Sequence, residues 1–367
     1  MQEPIPAENV VYPYAERIVG PSVTIRRTRV LPHPGQIVRR RGERVAADTV
    51  IGETDLPGGY LLVELDRELG PRGQDARKVM LKKVHETVLR NEVIARTGGL
   101  ARKAYASPVD GTIYDMRDSR VLIEVAAQHV ELLALYPGEI VGVMPRSGAV
   151  IETTGALIQG DWGFGPSFRA TLHQPVPAGD VPLLAGQITD EHVGGILIGG
   201  RGLDATAIEQ AVETGVRGVI VGSLHSDLLP QFTASGLSVI VSEGLGDAAM
   251  PARTFDLLCK CAGQEVCFAP TPEGTAQGHK PEIFYYLPVE GQEDRPALIE
   301  PGAPLKPGMD VRVLRAPHLY AEGTVVSLPE MPQRLASGIY AWGAEVDLGA
   351  AGRVLVPLQN LESIRQN

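Results

Sequence analysis

GGILIGGRGLDATAIEQAVETGVRGVIVGSL, residues 194–224, is the stretch that decides the fold. It contains a short apolar strand, a glycine turn, a helix and a second apolar strand, the order of a parallel α/β unit. The turn 200–205 also matches G-x-G-x-x-A, the pattern of dinucleotide-binding proteins. That pattern requires an acidic residue at the end of the second strand, and Gly222 and Ser223 stand there instead. We therefore expect no NAD or FAD here, and at most an anion at the helix N-terminus.

Further strand and helix patterns follow this stretch as far as about residue 269 and predict a small parallel sheet. Asp204 or Thr206 is expected to cap the first helix, and Gly215 to end it. The carboxyl ends of parallel strands meet at one edge, where α/β proteins bind ligands. We predict a crevice there for a phosphate or carboxylate, with plain helix capping as the alternative interpretation. The candidate ligand-binding residues are Arg201, Gly202, Asp204, Ser223, His225, Ser242, Glu243 and Gly244.

No catalytic or metal constellation emerges from the sequence. Ser223 and His225, with Asp227, resemble a hydrolase triad in composition, but residues two apart on a loop seldom align a nucleophile with its base. Cys259, Cys261 and Cys267 lack zinc-ribbon spacing and are expected to be buried thiols. We assign no catalytic residue, metal or cofactor, and whether the chain is an enzyme stays open, with a non-catalytic role favoured.

Composition indicates a globular protein of two or three domains. The chain has 367 residues, of which 44% are hydrophobic and 21% are charged, and its 42 glycines and 29 prolines imply many turns. Neither a signal-peptide pattern nor an apolar run of bilayer length is visible. With only three cysteines, the chain is expected to be cytoplasmic, without a membrane partner.

Charge is distributed unevenly along the chain. Residues 151–300 contain 7 Lys/Arg and 19 Asp/Glu, a net charge of −12, whereas residues 26–44 concentrate arginines. These arginines predict a patch for an anionic partner. The alternative interpretation is a solvated strand or a face that docks against the acidic middle of the chain. The candidate patch residues are Arg26, Arg27, Arg29, Arg39, Arg40 and Arg41.

Two related phrases, at 31–54 and 79–116, share an apolar strand, a polar turn and V-x-x-x-x-V-I-[GA], which indicates a pseudo-symmetric β structure. With its ending ASPVDGTI, the second phrase resembles the barrel-sandwich hybrid of biotinyl and lipoyl carrier domains and of the N-terminal domain of a sodium-translocating electron-transport subunit. The resemblance covers about residues 30–130. Carriers present their modified lysine at a hairpin tip, and the candidate tips VDGTIYD and VAADTVI contain none. Lys82 and Lys83 lie in a strand-like run, so we expect no lipoyl or biotinyl group.

The last 60 residues or so contain four or five short strands with tight turns, typical of a small SH3-like barrel. They resemble the KOW domain of transcription elongation factors and ribosomal proteins at Val311, Val313, Pro317, Gly323 and Val325. The sequence departs from that family at Ala316, Ala321 and His318, where the family has two glycines and an aromatic residue. The resemblance therefore implies the fold more than a function.

Together these observations predict a mixed β and α/β fold in three parts. Residues 1–150 are expected to form the barrel-sandwich hybrid, 151–295 a β extension and the small parallel α/β module, and 296–367 the SH3-like KOW barrel. The whole resembles bacterial multidomain proteins that combine these two β domains. We expect a non-catalytic binding or scaffold protein that contacts a protein, a second copy of itself or nucleic acid. The alternative is an enzyme or small-molecule sensor that binds an anionic ligand at the strand ends.

Overall fold

A computed structural model describes residues 15–98, 102–271, 280–289, 295–299, 305–335 and 337–365. Within these ranges the fold is a strand-rich mixture of β and α/β structure, with its main sheet curled into a half-barrel. The mixed fold class predicted from the sequence is confirmed at this level. No described helix has the length and apolar composition needed to cross a bilayer.

The described strands and α-helices follow one another in chain order. The first part contains β1 Ala15–Val30, β2 Gln36–Ile37, β3 Arg44–Val45, β4 Val50–Leu56, β5 Tyr60–Glu64, α1 Leu65–Leu69, α2 Ala76–Val79, β6 Thr87–Val88, β7 Val93–Arg96, β8 Ala104–Ala106, β9 Gly111–Arg117, β10 Arg120–Val125, β11 Gln128–Leu133, β12 Gly138–Met144 and β13 Gly148–Gln159. The middle contains β14 Trp162–Phe164, β15 Phe168–His173, β16 Ile196–Ile198, α3 Ala205–Thr214, β17 Gly218–Val221, α4 Leu229–Ser235, β18 Ser238–Val241, α5 Ala252–Lys260, β19 Glu265–Ala269 and β20 Glu282–Tyr286. The last part contains β21 Asp310–Val313, β22 Glu322–Ser327, β23 Gln333–Arg334, β24 Tyr340–Ala341, β25 Gly343–Asp347, β26 Arg353–Pro357 and β27 Leu361–Arg365.

Two long antiparallel strands, β1 and β13, form the spine of the molecule. Val23 and Ile25 of β1 are each only 1% exposed, because β-branched side chains pack well on a sheet that is covered on that face. On its other edge, β13 pairs with β20, and through β19 the sheet continues into β15. The predicted boundary at residue 150 lies inside β13, since this strand carries the first part of the chain directly into the middle.

The middle of the chain forms the parallel module expected from the opening stretch. β16, β17 and β18 are parallel neighbours, and their residues are fully buried apolar runs apart from Gly218 and Ser238. The structure adds β15 as a fourth parallel strand beside β16, and β14 as an antiparallel edge beside β18. The prediction of parallel strands is therefore confirmed, while β15, expected in a β extension, belongs to the same sheet as β16.

Residues 57–127 form a unit inserted between two paired strands. β5, β10, β9 and β6 make an antiparallel sheet, and α1, α2 and β7 contribute to an apolar core that is separate from the other cores. Leu56, where the chain enters the unit, pairs with Gln128, where it returns. Lys82 lies in a turn between α2 and β6, not in a strand as predicted, and its Nζ is 2.6 Å from Glu92.

The last part of the chain has its own hydrophobic core. β21, β22, β25 and β26 form an antiparallel series, and β27 pairs with β21 on one side. On its other side β27 runs parallel to β1, with Ile18 opposite Arg365. This parallel pairing joins the last part of the chain to the spine and brings β21 and β27 close to the carboxyl end of β18.

Candidate functional site

The three loops after β16, β17 and β18 lie together at the carboxyl edge of the parallel strands, as predicted. Backbone hydrogen bonds connect each loop to the next. Gly222 N donates to Gly200 O at 2.7 Å, Glu243 N donates to Gly222 O at 2.6 Å, and Gly246 N donates to Leu224 O at 3.0 Å. Backbone pairing thus continues past the strand ends. The three loops are therefore joined to one another at the place where the crevice was predicted.

The two glycines of the turn before α3 are required by the backbone conformation and by close packing of neighbouring segments. Gly200 has φ +54°, and a Cβ added to it would lie 2.1 Å from Val181 O. A Cβ on Gly202 would lie 3.0 Å from Ser223 O. Close approach of neighbouring chain segments explains both glycines without a nucleotide. The Asp204 carboxylate accepts from Ala207 N at 2.9 Å and caps α3, and Gly215 ends the helix with φ +82°, so both predicted helix ends are confirmed.

The groups that were expected to hold an anion at this turn are already engaged. Arg201 donates from Nε and Nη2 to the two carboxylate oxygens of Asp247, at 2.8 and 2.9 Å. Hydrogen bonds from the Thr206 hydroxyl and Ala207 N hold the pKa of Asp204 below its usual value, so this carboxylate is charged at the helix N-terminus. A negative group of the protein therefore occupies the place that a phosphate would take.

The remaining candidates do not form a catalytic pair. Ser223 Oγ accepts from Ala248 N at 2.7 Å and donates to Ala248 O at 3.0 Å, while His225 is exposed on the next turn. Ser242 Oγ is buried without a hydrogen-bond partner among the described residues. Gly244 has φ +84°, and a Cβ on it would lie 3.0 Å from Asp161 Oδ2. Ser223 thus anchors a loop and is not a nucleophile activated by His225.

Glu243 is part of a buried ion network that the sequence did not predict; we call it the junction network. Its five members come from distant parts of the chain: Arg17, Glu243, Lys280, Arg312 and Glu362. Glu243 accepts from Arg17 Nη1 at 2.8 Å and from Arg312 Nη1 at 2.6 Å. Glu362 accepts from Arg312 Nη2 at 2.9 Å and from Lys280 Nζ at 2.6 Å, and Arg17 Nε lies 3.2 Å from it. The network fastens β1, the end of β18, β21 and β27 to one another.

Burial and ion pairing oppose each other in the junction network. Burial raises the pKa of Glu243 more than Arg17 and Arg312 lower it, so the net shift is upward. Burial also raises the pKa of Glu362, but three cations outweigh it and the net shift is downward. The difference follows from the partners, since Glu362 has Lys280 in addition to the two arginines. Removing either carboxylate would leave the buried arginines without full compensation.

A cleft of about 610 Å³ opens beside the junction network. We call it the junction cleft. One wall is the loop after β18 and the start of α5, and the other is the loop between β21 and β22. Arg312 and Glu243 belong to both the network and the cleft lining. The lining residues are Glu243, Leu245, Gly246, Asp247, Ala248, Ala249, Met250, Pro251, Arg312, Leu319, Tyr320 and Glu322.

The six arginines predicted as one patch are separated in the structure. Arg27 and Arg29, only 6% and 8% exposed, share the buried face of β1 because alternate residues of a strand point to the same side. Arg27 forms two hydrogen bonds with Glu282, and Arg29 donates to Leu133 O. The prediction of a single surface patch is therefore wrong for these two residues.

The other four arginines of the predicted patch remain on the surface. Arg26 pairs with Glu152 at 2.9 Å, Arg39 donates to Val50 O, and Arg40 and Arg41 are exposed. The acidic partners of Arg26 and Arg27, Glu152 and Glu282, both belong to the acidic middle of the chain. The alternative interpretation, a docking face for that segment, thus fits the first strand.

The cysteine thiols do not suggest reactive chemistry. Burial raises the pKa of Cys261 to about 11 and that of Cys267 to about 12, so both remain protonated at neutral pH. Cys259 is partly exposed, and no disulfide joins the three. Over the described ranges, His, Cys, Asp and Glu side chains do not gather in a group of three that could hold a metal ion.

No protein-family model matches the chain, and no curated protein matches it.

Sequence reasoning missed the junction network, although a signal was present. Arg312 interrupts the apolar run DVRVL, Arg17 stands in ERIV, and Glu362 lies between Leu361 and Ser363 in a strand pattern. A charge inside a buried strand predicts a buried partner, because an unpaired ion there is strongly unfavourable. The local sequence does not indicate where the partner lies, because Glu243 is 226 residues from Arg17 and 69 residues from Arg312.

Proposed function

We propose that this chain is a non-catalytic binding protein that recognises another protein through the inserted unit, residues 57–127. The observation that carries the proposal is an exposed apolar face on the sheet of that unit. Tyr60 is 58% exposed, Leu62 53% and Tyr114 48%, although their strand neighbours Val63 and Ile113 are fully or almost fully buried. Clustered exposed apolar side chains of this kind mark protein interaction sites.

The face has the composition of an interface core with a polar rim. The rings of Tyr60 and Tyr114 pack edge to face, with centroids 5.1 Å apart, which fixes both aromatics before a partner arrives. Charged pairs surround them, including Arg120 with Glu64 and Arg117 with Asp115. Tyrosine anchors inside a charged rim are typical of protein recognition surfaces.

An apolar groove of about 650 Å³ continues the face past Tyr60. Val88 and Leu89 line it together with Gly58 and Gly59, and Leu89 is 61% exposed. The groove crosses one end of the inserted sheet, from Tyr60 of β5 to Val88 of β6. The face and the groove together would accept one apolar side-chain cluster of a partner.

The proposed domain organisation agrees with this role. We infer that the barrel-sandwich hybrid predicted for residues 1–150, without the carrier lysine, includes the inserted unit, and that the SH3-like KOW barrel predicted for residues 296–367 includes residues 305–365. The separate core of each unit supports this inference. A cytoplasmic location stays part of the proposal. In this arrangement the spine and the α/β module act as the rigid base from which the inserted unit presents its binding face.

Two other functions have less support. An anion sensor or enzyme at the strand ends would need free positive groups, and Arg201 and Arg312 are both paired with carboxylates. Nucleic-acid binding depends on phosphate neutralisation by Lys and Arg, and residues 301–367 contain six basic and six acidic residues. The exposed Arg39, Arg40 and Arg41 are the best remaining site for a nucleic acid.

The proposed function is tested by purifying a tagged full-length chain from its source cells after brief cross-linking and nuclease treatment. Wild type is compared with Leu62→Glu on the binding face and with Val193→Glu, a control that alters a similarly exposed residue outside the inserted unit. We expect specific proteins to co-purify with wild type and Val193→Glu and to be lost from Leu62→Glu.

Loss from both variants, or from neither, would contradict the proposal, as would recovery of nucleic acid alone before nuclease treatment. Light scattering on the three purified chains identifies the case in which the captured protein is a second copy of this chain. Urea unfolding of the variants confirms that each remains folded.

A further inference from the structure

Glu124 of β10 places a carboxylate where the exposed apolar face of the inserted unit meets the groove. It lines the groove and is the direct cross-strand neighbour of Tyr60. On its other side it faces Thr112, which in turn faces Thr87 of β6, so the four side chains form one row across the sheet. The row points outward, because Ile123, the preceding residue of β10, is fully buried and successive residues of a strand point to opposite faces.

The carboxylates at the groove have no ion-pair partner. Glu124 and Asp110 are both exposed lining residues, and neither forms a salt bridge with any described residue. The described lining contains no lysine, arginine or histidine. Arg90 donates its backbone N–H to Asp110 at 2.7 Å, but its guanidinium is not paired with that carboxylate. Lys82, which reaches the start of β6, is already paired with Glu92 at 2.6 Å.

The negative charge of Glu124 acts on the apolar face itself. It is the largest cause that raises the pKa of the Tyr60 hydroxyl above its ordinary value. At the end of the face beyond Leu62, in contrast, the carboxylate of Glu64 is paired with Arg120 at 3.6 Å. The face therefore has an unpaired negative charge at the groove end and a paired one at the other end.

A partner that covers the apolar face must also cover Glu124. Direct cross-strand neighbours have Cβ atoms roughly 5 Å apart, so a partner packed on Tyr60 displaces water from the Glu124 carboxylate. A carboxylate that loses water without gaining a counter-charge is strongly unfavourable. Lysine and arginine supply that charge, and their hydrocarbon stems pack on apolar and aromatic surface such as the Tyr60 ring.

We propose that the partner recognised by the inserted unit carries a lysine or arginine beside its apolar side chains, and that this residue pairs with Glu124 while its stem packs on Tyr60. The inference rests on the proposed function and names the chemistry of the segment that binds. Tyr60 and Leu62 are two residues apart on β5, so the basic and apolar groups of the partner should be roughly 7 Å apart. The selection is local, since residues 57–127 as a whole contain 12 Lys/Arg and 10 Asp/Glu.

The inference is tested on the purified full-length chain with three fluorescent peptides of equal length, each spaced by serine. The first contains leucines and lysines, the second leucines and glutamates, and the third lysines without leucines. Anisotropy is measured at about 50 mM and about 200 mM salt, because salt screens the attraction between exposed charges. We expect the leucine-lysine peptide to bind and to weaken with salt, and the other two to bind about tenfold or more weakly.

Charge reversal identifies the residue that receives the lysine. Glu124→Lys should weaken binding of the leucine-lysine peptide about tenfold or more, and Glu124→Gln should weaken it by a smaller factor. Glu330→Lys makes an equal charge change on an exposed residue outside the inserted unit, and should leave binding within about twofold. Urea unfolding shows whether each variant remains folded.

The outcomes separate this inference from the proposed function. If Leu62→Glu abolishes peptide binding and protein capture while Glu124→Lys changes neither, the inference is overturned and the proposed function stands. Equal binding of the leucine-lysine and leucine-glutamate peptides would also overturn it, as would the absence of binding by the leucine-lysine peptide. So would a self-associated wild type that Glu124→Lys dissociates, because the basic residue would then belong to a second copy.

Discussion

Buried charged residues are the most distinctive single-residue feature of this protein. Arg27 of β1 and Glu282 of β20 are buried together, and Tyr136 donates to the same carboxylate at 2.8 Å. Burial raises the pKa of Glu282, but the charge and hydrogen bonds of Arg27 lower that pKa by a larger amount. The net shift is therefore downward. Each charge is tolerated because its partner is in place, and the stability of the spine therefore depends on individual side chains.

Replacing Glu282 by Gln should destabilise the protein by about 3–5 kcal/mol, because Arg27 would remain buried without a counter-charge. The matched control is Arg26→Ala, which removes a neighbouring but half-exposed pair and should change stability by less than about 1 kcal/mol. Urea unfolding of both variants measures the difference. Equal destabilisation would show that burial does not set the strength of these pairs.

Acid should also destabilise the fold through the same groups. Glu282 and Glu362 have pKa values below the usual 4.5 in the folded chain and return to it on unfolding. Their contribution is present above that value and is lost as the pH falls through the folded pKa. The raised pKa of Glu243 works in the opposite direction, because its contribution falls as the pH rises.

We therefore expect the free energy of unfolding to fall between about pH 5 and about pH 3. The fall should be shallower in Glu362→Gln than in wild type, and unchanged in Glu330→Gln, which alters an exposed residue without a salt bridge to any described residue. Identical pH profiles for all three chains would contradict this assignment.

At the scale of single elements, local sequence determined the ends of helices better than the partners of strands. The cap of α3 at Asp204 and its end at Gly215 are encoded within a few residues, and both were predicted. β15 was expected in a β extension, because nothing in FRATLH shows that its neighbours are β16 on one side and β19 on the other. The candidate site was predicted incompletely for the same reason. The sequence indicated its loops, but not the charged residues of the junction network, which come from distant parts of the chain.

Two glycines with positive φ, Gly200 before α3 and Gly215 after it, permit a matched test of backbone constraint. Gly215→Ala should cost about 1 kcal/mol, because φ is positive but the new methyl group meets only Val193 Cγ1, at an ordinary contact distance of 3.9 Å. Gly200→Ala should cost more than about 3 kcal/mol, since the same backbone strain is joined by an overlap with Val181 O. Urea unfolding distinguishes the two. Similar costs would mean that the segment containing Val181 shifts easily to admit the methyl group at residue 200.

At the scale of the whole molecule, the inserted unit is attached at one point. Leu56 and Gln128 are direct partners in β4 and β11, so their Cα atoms are about 5 Å apart. Replacing residues 57–127 with Asn-Gly, a favoured two-residue hairpin turn, should leave the rest of the chain folded. Circular dichroism and a cooperative urea transition would show this. A shortened chain without a cooperative transition would mean that the insert holds the base together.

The parallel pairing of β1 with β27 has a consequence for how the protein is made. Arg17 and Glu362 are separated by 345 residues, and a ribosome adding ~5–20 residues per second needs ~20–70 s to produce the second after the first. Throughout that interval one edge of the first strand is uncovered, and such an edge invites pairing with other chains. Nascent chains stalled before Leu361 should therefore need chaperone protection that the finished protein does not.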